Sequence, residues 1–264
     1  MTISDNPCQK NMKILDTKIS SVKNLSGENF QISFQANEIA ADAIPGQFIE
    51  IPTGGATLLN KPISISDVSN NLQEMSIVIK NVGVGTKAIS EFIPDDNIKI
   101  IGPCGNGFPK PEMEAILVGG GVGIPPLYFM AKYYSDTHFT VIIGAGTKND
   151  IVLEDELNAL ENVEVILTTD DGSKGSKGTV IPELKKILDT KKSTIYTCGP
   201  KPMLAAIAKI GAEIDTPVYA SLEAYMGCGI GVCMGCVVPT VRGMERVCKE
   251  GPVFLAENIL WEKI

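Results

Sequence analysis

The residues best suited to chemistry in this chain of 264 residues are four cysteines, Cys228, Cys233, Cys236 and Cys248, spaced C-x4-C-x2-C-x11-C. Gly227, Gly229, Gly231 and Gly235 are interleaved with the first three. Glycine lets a backbone turn sharply and approach closely, so thiolates on such a loop can wrap a small inorganic core. The C-x4-C-x2-C opening is the plant-type [2Fe–2S] spacing. Tetrahedral zinc also accepts four thiolates, but its usual signature is two separated C-x2-C pairs, and one is present here. The C-x2-C-x2-C run of a [4Fe–4S] site is absent, and a Rieske centre needs two histidines where the chain has only His138. A two-iron cluster is the expectation, with zinc the alternative.

Disulfides are the weaker reading of these cysteines. The residues after Met1, TISDNPCQKN, are polar and carry no secretory signal, which points to a reducing, cytoplasmic setting. The longest apolar stretch, Ala115 to Met130, is broken by Gly119, Gly120, Gly121, Gly123, Pro125 and Pro126, so no membrane span is expected. A formal net charge of −8 argues against a nucleic-acid partner. Arg242 and Arg246 are the only arginines, and both lie between the third and fourth cysteines. A phosphate site elsewhere must therefore use backbone N–H groups, hydroxyls or lysine as a point charge. With one histidine, in the polar stretch Ser135-Asp-Thr-His138, no catalytic triad or histidine-metal centre is expected.

The elements that must position these groups change character along the chain. From Lys13 to about Lys110 short strand-like segments alternate with turns: Phe30 to Phe34, Gln47 to Ile51 and Met75 to Lys80 are separated by Ser26-Gly27, Pro45-Gly46, Thr53-Gly54-Gly55 and Ser69-Asn70-Asn71. This pattern predicts a small antiparallel barrel. Two motifs fall in it. Leu58 to Ile65 sets Lys61, Pro62, Ile63 and Ser64 on a segment stiffened by proline, and Lys80 to Lys87 is a glycine loop, with Gly85 and Thr86, opening a short helix over Thr86 to Phe92. A helix start of this kind favours an anion. An edge strand with an exposed lysine, and a flexible hairpin, are the plain alternatives.

Beyond Lys110-Pro111 the pattern becomes a βαβ series. Glu114 to Val118 reads as a strand buried on both faces, followed by Phe139 to Ile143, Val163 to Leu167 and Thr194 to Thr197, with helices over Leu127 to Ser135, Asp155 to Leu160, Ile181 to Leu188 and Lys201 to Ile214. The loop Gly119-Gly-Gly-Val-Gly-Ile-Pro-Pro126 follows the first strand. Gly121 and Gly123 fit the first two glycines of a dinucleotide fingerprint, while Pro126 takes the third place. Proline is tolerated in a first helical turn because its missing N–H had no partner there. Cys198-Gly199-Pro200 closes a later strand just before a helix, where open α/β sheets place ligands; a plain turn over a buried Cys198 is the alternative. Thr147, Lys148, Asp170 and Asp171 are candidates for the adenosine side. Two carboxylates and no arginine favour NAD over NADP, with Lys148 leaving NADP open.

The order of barrel, βαβ domain and four-cysteine tail resembles the ferredoxin–NADP reductase superfamily. Within it, MGCGIGVCMGC and its flanks Ser221-Leu-Glu223 and Gly251-Pro-Val-Phe254 resemble the electron-transfer subunits of NAD-linked, class 1B dihydroorotate dehydrogenases, over about Lys13 to Phe254. The resemblance implies a multi-domain β and α/β chain: an FAD-binding antiparallel β-barrel (1–110), a parallel-sheet NAD-binding domain (111–217) and a small [2Fe–2S] module (218–264). It implies FAD on Lys61, Pro62, Ile63 and Ser64, where the family usually has Arg-Pro-x-Ser, with Val78, Ile79 and Lys80 lining the flavin and Gly85 and Thr86 reaching the pyrophosphate. It assigns NAD to Gly119, Gly121, Gly123, Cys198 and Gly199, adds Phe254 to the cofactor-binding set, and gives the cluster to the four cysteines. Cys8 and Cys104 match no ligand position. The implied partner is an FMN-bearing catalytic subunit that oxidises dihydroorotate to orotate in pyrimidine biosynthesis, in a heterotetramer of two subunits of each kind. The alternative is a diaphorase subunit of a hydrogenase or sulfide reductase with the same three modules. Met226, Ile230, Val232 and Met234 would cover the cluster, packed internally or against the partner. Arg242 and Arg246 would tune its potential or make plain surface ion pairs.

Overall fold

A computed structural model describes residues 12–191 and 193–264; the polar start of the chain, with Cys8, lies outside them. Six strands, β1 (Lys13–Asn24), β2 (Asn29–Gln35), β3 (Phe48–Ile51), β4 (Lys61–Val68), β5 (Glu74–Lys80) and β6 (Asn97–Cys104), close into an antiparallel barrel in the order β1-β2-β5-β4-β3-β6. Two-residue alternation sends Phe30, Ile32 and Phe34 of β2 and Met75, Ile77 and Ile79 of β5 into its core. On the opposite face of the same pair, Ser33 and Ser76 share a hydroxyl hydrogen bond of 2.8 Å. Helix α1 (Asn37–Ala40) plugs the barrel with Ile39. Helix α2 (Val84–Ser90) starts two residues earlier than the sequence suggested and ends two earlier. The Thr86 hydroxyl accepts the N–H groups of Val82 and Gly83 and so fixes that start from inside the first turn.

The second layer is a seven-stranded sheet. Its strands are β7 (Ala115–Gly120), β8 (Phe139–Ala145), β9 (Val163–Thr169), β10 (Ser176–Lys177), β11 (Ile195–Cys198) and β12 (Val218–Ser221), all parallel, closed at one edge by a later antiparallel strand. The run Ala115 to Val118 is wholly buried, as a strand covered on both faces must be. Helices α3 (Ile124–Tyr133), α4 (Glu154–Asn158), α5 (Ile181–Leu188) and α6 (Lys201–Glu213) flank it. Helix α3 begins at Ile124, earlier than expected, because Pro125 and Pro126 sit in the first turn, where their missing N–H groups leave no gap.

The last segment belongs partly to this sheet. Hairpin β13 (Val237–Thr240) and β14 (Gly243–Arg246) stands apart, but β15 (Val253–Leu255) pairs antiparallel with β12, so the sheet runs on past residue 218. Phe254, Leu222, Val238 and Val247 form a core of their own with Phe48 from the barrel. Barrel and sheet are also tied together: Phe129 of α3 enters the barrel core, Lys132 on the same helix holds Asp67 of β4 at 2.7 Å, and Lys80 of β5 holds Asp150 at 3.0 Å. Burial raises the pKa of Asp67, and Lys132 opposes that rise.

Candidate cofactor cleft and cysteine loop

In the sheet, β7 has β8 on one side and β11 on the other, so the strand order reverses between β7 and β11. The loops leaving these two strands meet there. A Cβ on Gly123 would lie 2.1 Å from the Cys198 carbonyl oxygen, and one on Gly120 would lie 2.8 Å from Pro200. Such a reversal point is where open α/β sheets bind ligands, and here it opens into a cleft of about 1780 Å³ shared with the barrel.

Most residues singled out in the sequence reach that cleft. Lys61, Pro62, Ile63 and Ser64 from β4, Val78, Ile79 and Lys80 from β5, and Gly85 and Thr86 from α2 line its barrel side. Gly121, Gly123 and Gly199 line the sheet side, with Asp170 and Asp150 further along. Gly119 lies behind this wall, against Ile124 and Leu127. Cys198 is 2% exposed and packs into the core; burial, then the charge of Glu223, pushes its thiol up to about 12. Phe254 is buried under the cysteine loop rather than on the cleft, with its ring over Gly251.

Two lysines read alike in sequence differ in the fold. Lys80 is paired with Asp150, which holds that carboxyl below its usual range. Lys61 stretches across Gly85 and, among the described residues, makes no hydrogen bond or ion pair. The Lys61 ammonium beside Gly85 in the first turn of α2, and Gly121 at φ +53° with nothing near its missing Cβ, form a surface that suits the phosphates of dinucleotides from both sides.

At one end the cleft reaches Cys236, Gly235 and Met226. All four candidate ligands are free thiols, and each sulfur accepts a backbone N–H: Cys228 from Val232 at 3.3 Å and Cys233 at 3.4 Å, Cys233 from Gly235 at 3.4 Å, Cys236 from Cys248 at 3.4 Å, and Cys248 from Gly231 at 3.1 Å. Burial would raise the Cys228 thiol, but the amides of Cys233, Ile230 and Val232 outweigh it and bring the thiol to about 7. Cys248 is raised, first by burial and then by neighbouring Cys236. Cys228 lies beside Cys233 and Cys236 beside Cys248, while among the described residues no three such groups form a site for a single metal ion. Amides aimed at sulfur stabilise thiolates, so the donor set fits an iron–sulfur cluster. Of the apolar residues around the ligands, Met226 is buried, whereas Val232 and Met234 face solvent.

Three side chains of the site carried no role in the sequence reading. Glu50 of β3 is 1% exposed, neither oxygen has a hydrogen-bond partner among the described residues, and it lies flat against Gly229 of the cysteine loop. Burial, with Cys228 nearby and Lys61 opposing, raises its carboxyl to about 7. Glu223 lines the cleft with an accessible side chain, and partial desolvation there raises its carboxyl. Asp150 is held by Lys80 and by the N–H and hydroxyl of Thr147, which both donate to its carboxylate. Long-range contacts of this sort leave no local periodicity.

Barrel, reversal-point cleft and sulfur-rich loop together define an oxidoreductase of the ferredoxin-reductase type, with flavin, pyridine nucleotide and iron–sulfur sites in one chain. Residues 117–209 match the model of an oxidoreductase NAD-binding domain, and residues 223–260 that of the iron–sulfur cluster binding domain of dihydroorotate dehydrogenase B. Among solved structures, that of an NADH-dependent reduced ferredoxin-NADP oxidoreductase, described for flavin-based electron bifurcation, superposes with a TM-score of 0.85 at 28% identity, covering 93% of this chain and 90% of that one. The ferredoxin reductase of carbazole 1,9a-dioxygenase shares the fold, with a TM-score of 0.69 at 18% identity over 79% of this chain and 69% of that one. Proteins named dihydroorotate dehydrogenase B (NAD(+)), electron transfer subunit, are similar along almost their whole length. The one from Desulforamulus reducens is 36% identical over 95% of this chain and 99% of its own, and that from Caldanaerobacter subterraneus 36% identical over 94% and 98%. This chain belongs to that family of electron transfer subunits.

Proposed function

We propose that this chain carries electrons between NAD and an FMN-containing catalytic subunit that oxidises dihydroorotate to orotate, in a heterotetramer of two subunits of each kind. The observation that carries the reading is the continuity of one cleft, from Ser64 and Gly121 at the domain junction to Cys236 at the cysteine loop. Family membership favours this partner over a hydrogenase or sulfide reductase. When bound, FAD exchanges two-electron hydride chemistry for the one-electron chemistry of an iron–sulfur cluster.

The protein's part is binding and placement. Lys61 and Ser64, with the first turn of α2 at Gly85 and Thr86, hold the flavin nucleotide. Lysine in place of the family's usual arginine keeps the charge and gives up the two-pronged contact. Gly121, Gly123 and Gly199 admit the NAD pyrophosphate, and Asp170 faces the adenosine end. Cys228, Cys233, Cys236 and Cys248 hold the cluster, and their amide donors fix the sulfurs in place. The units are 1–110, 111–217 and 218–264, the last lending β12 and β15 to the sheet of the second. The exposed Val232, Met234 and Tyr225, 96% exposed, form the face toward the catalytic subunit.

Mass spectrometry of the complex drawn from its source cell tests the partner. Recovery of a dihydroorotate-oxidising subunit in equal amount is the expected result, and recovery of hydrogenase or sulfide reductase subunits in its place overturns it. Ser64→Ala combined with Lys61→Ala tests the flavin site. Flavin content should fall after gel filtration, and unchanged content rejects that placement.

A further inference from the structure

The chain's two arginines both lie on the β13–β14 hairpin that precedes the fourth cysteine but are used differently. Arg242 makes an exposed ion pair with Glu245 at 3.3 Å. Arg246 is mostly covered: its Nε donates to Glu250 Oε2 at 3.0 Å, its Nη2 donates to Glu250 Oε1, and its Nη1 donates to the carbonyl oxygen of Gly231. Glu250 Oε2 also accepts the Arg246 backbone N–H at 2.8 Å, which closes the pair into a ring.

The Gly231 carbonyl shares its peptide group with the N–H of Val232, and that N–H donates to Cys228 Sγ at 3.3 Å. The preceding N–H, of Gly231 itself, donates to Cys248 Sγ at 3.1 Å. From this geometry we infer that Arg246, clamped by Glu250, is a positioning residue that polarises the Gly231–Val232 peptide toward Cys228 and raises the reduction potential of the cluster. The inference rests on the assignment of the four cysteines as cluster ligands.

A cation on a carbonyl oxygen draws electron density from the amide and strengthens its N–H as a donor. A stronger donor at sulfur offsets the negative charge that reduction adds, which moves the potential upward. The guanidinium is suited to this because its planar fork grips Glu250 with two nitrogens while a third reaches Gly231; lysine offers charge without that fork. Gly231, at φ +80°, supplies the backbone conformation that turns its carbonyl to the arginine.

The test uses the full chain and compares Arg246→Gln, Arg246→Lys, Glu250→Gln and Arg242→Gln. Iron content and visible absorption are measured first, then the cluster midpoint potential by spectroelectrochemical titration, with the electron paramagnetic resonance of the reduced state. Arg246→Gln should shift the potential negative, Arg246→Lys should fall between it and the parent, Glu250→Gln should also move negative, and Arg242→Gln should stay at the parent value. An Arg246→Gln protein with full iron and the parent potential overturns the inference. So does Arg246→Lys at the parent value, or Arg242→Gln shifted as far as Arg246→Gln, because either result reduces the effect to bare charge. If Arg246→Gln fails to hold iron, Arg246→Lys and Glu250→Gln carry the comparison. A parent protein without a reducible iron centre removes the ligand assignment itself, and the inference with it.

Discussion

The loop after β7 and the loop from Gly227 to Gly235 are both rich in glycine, yet the first lies bare along an open cleft whereas the second turns its amides onto the chain's own sulfurs. In the first, Gly123 removes an obstacle where it touches the backbone of Cys198, while Gly121, at φ +53°, faces empty space. In the second, they supply conformations, at Gly229 with φ +65° and Gly231 with φ +80°. The first arrangement suits a ligand that comes and goes. The second suits a group that stays, since its donors already have acceptors among the chain's own sulfurs.

Four experiments bear on that contrast. The largest effect is expected from Cys236→Ser, which should abolish cluster absorbance and lower iron content while FAD stays bound. A normal [2Fe–2S] spectrum would remove Cys236 from the ligand set and with it the difference between the loops.

Next come alanine substitutions at the tightest glycines. Gly123→Ala and Gly229→Ala each place a Cβ 2.1 Å from another atom, and each should cost about 3 kcal/mol by thermal or denaturant unfolding. At Gly123 the obstacle is a backbone carbonyl; at Gly229 it is the side chain of Glu50. Adding Glu50→Ala should therefore restore part of the loss in Gly229→Ala, leaving the cost of its positive φ. No side-chain deletion should restore Gly123→Ala. Equal failure of both rescues would erase the distinction between obstacle and conformation.

Glu50 gives the third. Its carboxyl is raised to about 7 in the folded chain and titrates near 4.3 when unfolded. Between those values the folded state keeps a proton that the unfolded state releases, so stability falls as pH rises from about 4.5 to 7 and levels off above. Glu50→Gln should flatten that fall, by about 2 kcal/mol between pH 5 and pH 8, read from melting temperatures of parent and variant. An unchanged pH profile would mean that the carboxyl under the cysteine loop finds a partner.

The smallest effect concerns nucleotide choice. Asp170→Ser removes one negative charge from the cleft and should improve NADPH relative to NADH by roughly tenfold in kcat/KM, about 1.4 kcal/mol. An unaltered ratio would place the adenosine end elsewhere.

Much of this was legible because it is local. The apolar run Glu114 to Val118 marked the central strand, the glycines after it marked the reversal point, and C-x4-C-x2-C marked the sulfur loop. What stayed hidden depends on partners distant in sequence. Lys80 looked like a lysine for the flavin, and only folding brings Asp150 to it. Nothing within Gln47 to Ile51 singles out Glu50, and its place in β3 buries it. Strands β12 and β15 are too short for periodicity to reveal, and their pairing spans more than thirty residues of intervening chain, hairpin β13–β14 included. Arg246 offered no local sign of which carbonyl it would reach.

The pairing of Ala220 with Phe254 has a mechanical consequence. The sulfur-bearing segment leaves from one strand and returns to its immediate neighbour, so it is stapled at both ends and cannot swing on a single hinge. Tunnelling rates fall steeply with separation, and this double attachment fixes the gap between the four cysteines and the domain junction before any other subunit docks. Association can then change where the electrons go without changing how far they must travel inside this polypeptide.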